Sequence, residues 1–384
     1  MTKIIRLLSP ALLLLLSAAA IAQSTYYPDS VWKTRSAKES GMEQAKIDSA
    51  IAFALRSENK VERDLRIANL KSYSREPGYA IIGPMKERGG PAGLVIKNGY
   101  IVAQWGDVKR VDMTFSATKS YLSTVAGLAV DDGLIRSVHD RVSDYVWDGS
   151  YAGEHNSKIT WEHLLNQSSD WSGSLFGLHD WADRPPREGG IDDWKNRKLL
   201  EPGTSFEYND VRVNLLAYSL LQVYRKPLPM ILKERLMDPI GASSTWRWFG
   251  YDNTFVNMDG IMMQSVSGGG HHGGGIFINT LDHARFGLLF LRKGKWKGKQ
   301  LLSEKWISEA HKPSTPNKEY GYMWWMNTTQ KWKDVSPEIY YAVGFGGNYI
   351  IVDNEHDLVV VARWMDDSKI GEFMKMIISS IDKK

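Results

Sequence analysis

The sequence predicts a mixed α+β fold, in which an antiparallel sheet is flanked by helices and a helical lobe is inserted between the segments that build the sheet. Three observations carry this expectation. β-rich runs surround Asn98-Gly99 early in the chain, two more surround Asn354-Glu355-His356 near its end, and helical periodicity fills much of the interval between them. Strands early and late imply a sheet assembled from both ends of the chain. The sheet lobe is assigned to about 23–135 and 250–384, and the helical lobe to about 136–249.

Taken in order, Ser40 to Arg56 has helical spacing at Met42, Ile47, Ile51 and Leu55, while Ser74 to Gly90 is rich in Gly, Pro and charge. Gly93 to Trp105 then reads as a β-hairpin, because Asn-Gly between two apolar runs suits a tight turn with positive φ. From Ser116 the pattern becomes helical, with Tyr121, Leu122, Val125, Leu128 and Ala129 on one face and Gly133 placed as C-cap. Val211–Val223 and Leu228–Leu236 are the clearest helices of the middle region. Asp282–Leu291 and Leu301–Ala310 follow, then strands at Asn348–Asp353 and Leu358–Trp364, and a final amphipathic helix at Phe373–Ile381.

The first 22 residues read as an export signal. Lys3 and Arg6 precede an apolar run from Leu7 to Ala20, and Ala20-Ile21-Ala22 offers small residues for cleavage before Gln23. The run falls short of the ~20 apolar residues that span a bilayer, so no stable membrane anchor is expected after cleavage, and the protein is assigned to the periplasm or the exterior. Lys plus Arg is 48 and Asp plus Glu is 44; without Lys3 and Arg6 the count is 46 against 44. A chain so close to neutral lacks the basic excess that nucleic acid selects. There is no cysteine, which excludes disulfides, a thiol nucleophile and thiolate metal ligands.

Four Ser-x-x-Lys matches begin at Ser30, Ser57, Ser116 and Ser380, so the motif alone carries little weight. Only Ser116-Ala117-Thr118-Lys119 opens a helix after a β-hairpin. There the residues three apart share a face, the first N–H groups are unpaired, and the dipole favours negative charge. A hydroxyl so placed gains a nearby base and an oxyanion donor from one local element. Lys in a first turn opposes the dipole, and burial beside a positive helix end is expected to push its pKa down, as a base near neutral pH requires. The plain alternative makes Ser116 an N-cap and Lys119 a solvated residue.

Phe115-Ser116-Ala117-Thr118-Lys119-Ser120 resembles the first motif of the serine β-lactamase and penicillin-binding superfamily. Val138 to Val142, Ile159 to Ser169, Glu201 to Tyr208, Gly273-Gly274-Gly275 running into Asp282 to Gly287, and Gly344 to Asn348 are similar to later family segments, in the same order, across about 90–365. The resemblance implies a single β-lactamase-like catalytic domain over 23–384, an acyl-enzyme on Ser116, and Tyr208 coupled to Lys119 as proton-transfer pair. It also implies an oxyanion hole from the backbone N–H groups of Ser116 and Phe345.

Two departures bear on substrate. Asp210 stands where the family usually has Asn, able to accept from Lys119 and to alter its pKa. Phe345 stands where many β-lactamases carry Lys or His, which removes a cation suited to a penicillin carboxylate. The segment is more similar to the family's esterases and nylon-oligomer hydrolases. Asp210, Trp171 and Gly346 are taken as residues bordering the substrate. The reading is therefore an exported esterase or amidase without cofactor or metal, acting on a small or oligomeric substrate. A penicillin-interacting D,D-peptidase or β-lactamase is the alternative, and a non-catalytic envelope-binding protein is the alternative of another class.

Other signals carry less. Gly268 to Gly273 matches G-x-G-x-x-G without the strand and helix a dinucleotide site needs. His271-His272 lacks metal-ligand spacing and is assigned to a flexible loop near the cleft. G-x-S-x-G is absent. The fifteen tryptophans, among them Trp171, Trp181, Trp194 and the pair Trp324-Trp325, are expected mainly to pack, with one or two bordering the site.

Overall fold

The computed structural model describes residues 25–382, so the assigned signal and its cleavage point lie outside the described residues. A six-stranded antiparallel sheet forms the spine. Its strands run in the order Trp325–Met326, Tyr340–Gly344, Asn348–Asp353, Leu358–Arg363, Ala92–Lys97, Tyr100–Trp105. The two ends of the chain meet inside the sheet, where Leu94 faces Val361 and Ile96 faces Val359. The early hairpin turns as expected, Asn98 at φ 55° and Gly99 at φ 87°.

Leu358–Arg363 is buried along its whole length, which explains its unbroken apolar run: both faces are covered. Val359 and Val361 pack with Ile350, Phe286 and Leu289 on one side, and Val360 packs with Ile351, Phe373 and Ile377 on the other. Each such side chain contributes about 1.5–3 kcal/mol when fully buried. Gly287 in the helix Thr280–Leu291 permits this contact, since a Cβ there would lie 2.7 Å from Val359. The opposite face is covered by the helices Gln44–Arg56 and Ile370–Ser379.

A second antiparallel sheet, in the order Asp112–Met113, Gly275–Ile278, Arg247–Met258, Ile261–Val266, lies beside the first. The helices Asp210–Tyr224 and Leu228–Leu232 pack with the central helix Thr118–Asp131, and Trp161–Leu165 packs on Asp210–Tyr224, with Leu122, Val125, Leu215 and Leu216 in the shared core. The fold is thus α+β, with antiparallel sheets and helices. No helix among the described residues is long and apolar enough to cross a membrane.

Candidate active site

Ser116 sits in a short 3-10 turn, Phe115–Ala117, that feeds directly into the helix Thr118–Asp131. The turn is clamped from both sheets. Thr114 N donates to the Ile276 carbonyl at 3.0 Å, and Ile276 N donates to Thr118 Oγ1 at 2.9 Å. A Cβ on Gly344 would stand 1.9 Å from the Thr114 oxygen, and one on Gly269 2.0 Å from the Phe115 oxygen, so only glycine lets backbone approach backbone here. Phe115 is held at φ 47°, a left-handed conformation that costs a bulky residue energy and that the surrounding clamp enforces. Ser116 itself is half-buried and opens into a cavity of about 510 Å³.

One turn along the helix, Lys119 is buried with its Nζ 2.9 Å from Ser116 Oγ and 3.4 Å from the Gly268 carbonyl. The same nitrogen is 2.7 Å from Asp210 Oδ1 and lies 5.0 Å from the centre of the Tyr208 ring. Sequence accounts for the placement of Tyr208 and Asp210. Asn209 is the N-cap, its side chain accepting from Arg212 N at 3.1 Å, so Asp210 begins the helix Asp210–Tyr224 and turns inward. Tyr208 remains outside the helix at the cavity wall.

The electrostatics differ from the sequence expectation for Lys119. Burial opposes its charge, but Asp210 and Tyr208 outweigh burial and hold the amine above the usual lysine range. Burial likewise opposes the Asp210 charge, but Arg184, Lys119 and His271 hold its carboxyl well below the usual carboxylate range. The resting lysine is an ammonium that donates to Ser116 and Gly268 and ion-pairs with Asp210.

Around Asp210 lies a network that sequence reasoning did not assemble, buried except where Arg184 and Tyr73 line the cavity. Arg184 grips Asp183 through both carboxylate oxygens at 2.8 and 3.1 Å, reaches Asp210 Oδ2 at 2.7 Å, and lies 5.2 Å over the Tyr208 ring. His271 stacks on Tyr73 with centroids 4.2 Å apart, with Glu76 at 3.2 Å from Nε2 and Asp210 and Asp183 at 3.5 and 3.6 Å from Nδ1. Burial would lower its pKa, but Asp210, Glu76 and Asp183 raise it to about 9. Burial and the charge of its neighbour push His272 down to about 4. The His271-His272 segment is therefore not a loose loop: both rings are 2 % exposed, fixed by these ion pairs and by a hydrogen bond of 2.9 Å between His272 Nδ1 and the Ala80 carbonyl. Asp183, His271 and His272 each bring a potential ligand atom within 4.8 Å of the others. Asp183 already holds Arg184 with both oxygens, and Lys119 adds further positive charge alongside, so the arrangement is that of an ion-pair network.

The remaining predicted residues separate clearly. Phe345 lines the cavity, its ring against Phe115 at 5.2 Å and Tyr73 at 5.7 Å. Gly346 is buried in the following turn at φ 80°, where a Cβ would meet Trp364 at 2.8 Å; it does not line the cavity. Trp171 is a core residue, 3 % exposed, donating from Nε1 to the Ser150 carbonyl at 2.7 Å, and is also absent from the lining. Asp210, 1 % exposed, contacts Lys119 from beneath and is sealed from the cavity space. Trp325 does border the cavity, stacked on Tyr208 at 6.0 Å, together with Trp332, Tyr341 and Tyr349, which sequence reading had not singled out.

The model of the Beta-lactamase family matches residues 81–367, about three quarters of the chain, a range that includes Ser116, Lys119, Tyr208 and Asp210. The chain belongs to the Beta-lactamase family. It is a serine hydrolase of that β-lactamase-like superfamily. No curated protein matches the chain. Among solved structures, a family VIII carboxylesterase is 17% identical with a TM-score of 0.56, covering 84% of this chain and 98% of that one. A β-lactamase from Mycobacterium bovis is 18% identical with a TM-score of 0.51, covering 80% and 99%. An octameric penicillin-binding protein homologue from Pyrococcus abyssi is 15% identical with a TM-score of 0.56, covering 87% and 76%. At these identities the likeness is one of fold.

Proposed function

We propose that this β-lactamase-family hydrolase is an exported esterase or amidase that works through an acyl-enzyme on Ser116. The observation that carries the reading is the 2.9 Å contact between Lys119 Nζ and Ser116 Oγ at the floor of an open cavity that Tyr208 also lines. Ser116 Oγ forms a bond to the ester or amide carbonyl carbon, and its proton passes to the Lys119–Tyr208 pair once that pair has lost one proton to solvent. The leaving alcohol or amine takes the proton as the acyl bond breaks, and water then repeats the sequence against the acyl-enzyme. The N–H groups of Ser116 and Phe345 are the proposed donors to the oxyanion.

Export rests on Lys3, Arg6 and the apolar run Leu7 to Ala20. The ester or amide preference over penicillins rests on Phe345 standing in place of a cation, with the cavity-lining Arg184 paired to Asp183 and Asp210. Aromatic walls at Tyr208, Trp325 and Trp332 suit a flat, amphipathic acyl or leaving group. The test is to treat the purified protein with a fluorophosphonate probe and with a fluorescent penicillin. Labelling by the first alone, abolished in Ser116→Ala, is the expected result. Labelling by penicillin shifts the assignment to a lactamase or peptidase, and no labelling by either favours a binding protein.

A further inference from the structure

We propose that His271 is a positioning residue whose positive charge competes for Asp210, loosens that carboxylate's hold on Lys119, and so keeps the lysine able to release the proton it must lose before accepting one from Ser116. This rests on the reading of Lys119 as a proton-transfer group.

Three basic side chains, Lys119, Arg184 and His271, converge on the single carboxylate of Asp210 at 2.7, 2.7 and 3.5 Å. Two of them touch it directly; His271 approaches at the distance of an ion pair rather than an aimed hydrogen bond. Its charge is therefore the adjustable member of the set. Acidic groups on three of the elements packed against the ring, Glu76, Asp183 and Asp210, favour that charge. Glu76 and Tyr73 face it from the end of the helix Leu65–Tyr73 and the loop beyond, Asp183 and Arg184 from the segment after Ala182, Asp210 from its helix, and His272 from its own strand of chain. Glu76 is buried; among the described residues its carboxylate accepts from Arg184 N at 3.1 Å and lies 3.2 Å from His271 Nε2, an ion-pair contact. A buried acid whose partners are a histidine and the backbone N–H of Arg184 is costly unless that histidine is charged. With His271 protonated, three carboxyl groups face three cations. With it neutral, the Asp210 charge is left to Lys119 and Arg184 alone, and Lys119 is held more tightly as ammonium.

His271 touches neither the cavity nor Ser116, so no bond forms or breaks at its ring; it acts through Asp210. The consequence is a displaced pH profile. In His271→Asn, the acid limb of kcat/KM for a chromogenic ester is expected to move to higher pH by about one unit, a tenfold loss at a fixed pH on that limb. The alkaline plateau should be recovered, because full deprotonation of Lys119 restores the same catalyst. His271→Lys, which keeps a cation, should return the limb toward its original position. Glu76→Gln, a gentler change that leaves the ring in place but weakens its protonation, should move the limb the same way by less. A limb that stays put or moves to lower pH in His271→Asn, or in Glu76→Gln where the first variant does not fold, overturns the proposal. A wild-type level of hydrolysis in Ser116→Ala would instead overturn the underlying assignment of the site, whatever the histidine variants do.

Discussion

Replacing Asp210 by Asn tests the electrostatics of the site in the direction opposite to the His271 change. Asn preserves the shape and leaves an oxygen facing Lys119, but removes the charge 2.7 Å from Nζ. At that separation an effective dielectric of about 20 gives roughly 6 kcal/mol of attraction as a ceiling. Screening, and relaxation of the cluster around Arg184 and His271, bring the observable part well below that ceiling. Without Asp210, burial and Arg184 both favour the free amine. The acid limb of kcat/KM should therefore move to lower pH by at least about one unit, measured with a chromogenic ester between about pH 5 and 10. The same change strips an anion from a buried cluster, a loss of about 3–5 kcal/mol unless His271 gives up its proton, so the denaturation midpoint should fall. An acid limb that remains fixed, or moves to higher pH, in a variant that folds would refute the reasoning.

Tyr208→Phe should lower kcat by about 10²–10⁴ with an unchanged circular dichroism spectrum, since the ring stays stacked on Trp325 and only the hydroxyl is lost. Gly344→Ala should destabilise by about 1–3 kcal/mol or more, because its Cβ meets the Thr114 carbonyl at 1.9 Å and pushes on the turn carrying Ser116. Gly133→Ala, which has open space at its Cβ and only a positive φ to bear, should cost about 1 kcal/mol, and urea denaturation of the pair separates collision from conformational strain.

Much of the sheet was legible because its signals are local. Asn98-Gly99 and the Val-rich run at 358–363 specify their own turn and burial, and the second follows from being covered on both faces. Asp259-Gly260, at φ 54° and 82°, offered the same hairpin signal between apolar runs and was passed over, which is why the long strands Arg247–Met258 and Ile261–Val266 were not anticipated. At the site, Ser116 and Lys119 are one helical turn apart, so spacing alone places them together. Tyr208 and Asp210 came from resemblance. Arg184, His271, Glu76 and Tyr73 had no such route: they come from separate loops and helix ends, and only tertiary packing brings their charges to one carboxylate. The assignment of His271-His272 to a flexible loop failed because Gly269 and Gly273, both at positive φ, turn the chain so that both rings enter the interior. Trp171 misled for the converse reason, since a tryptophan's area serves a core as readily as a cleft, and this one is sealed inside.

The central claim is that the hydroxyl of Ser116 becomes acylated during turnover. Rapid acid quenching of the enzyme with a slowly deacylating ester, followed by intact mass and peptide mapping, addresses it directly. The account predicts a mass increase equal to the acyl group, carried by the peptide containing Ser116 and absent in Ser116→Ala. Full turnover with no covalent adduct, or an adduct mapped to another residue, would contradict it.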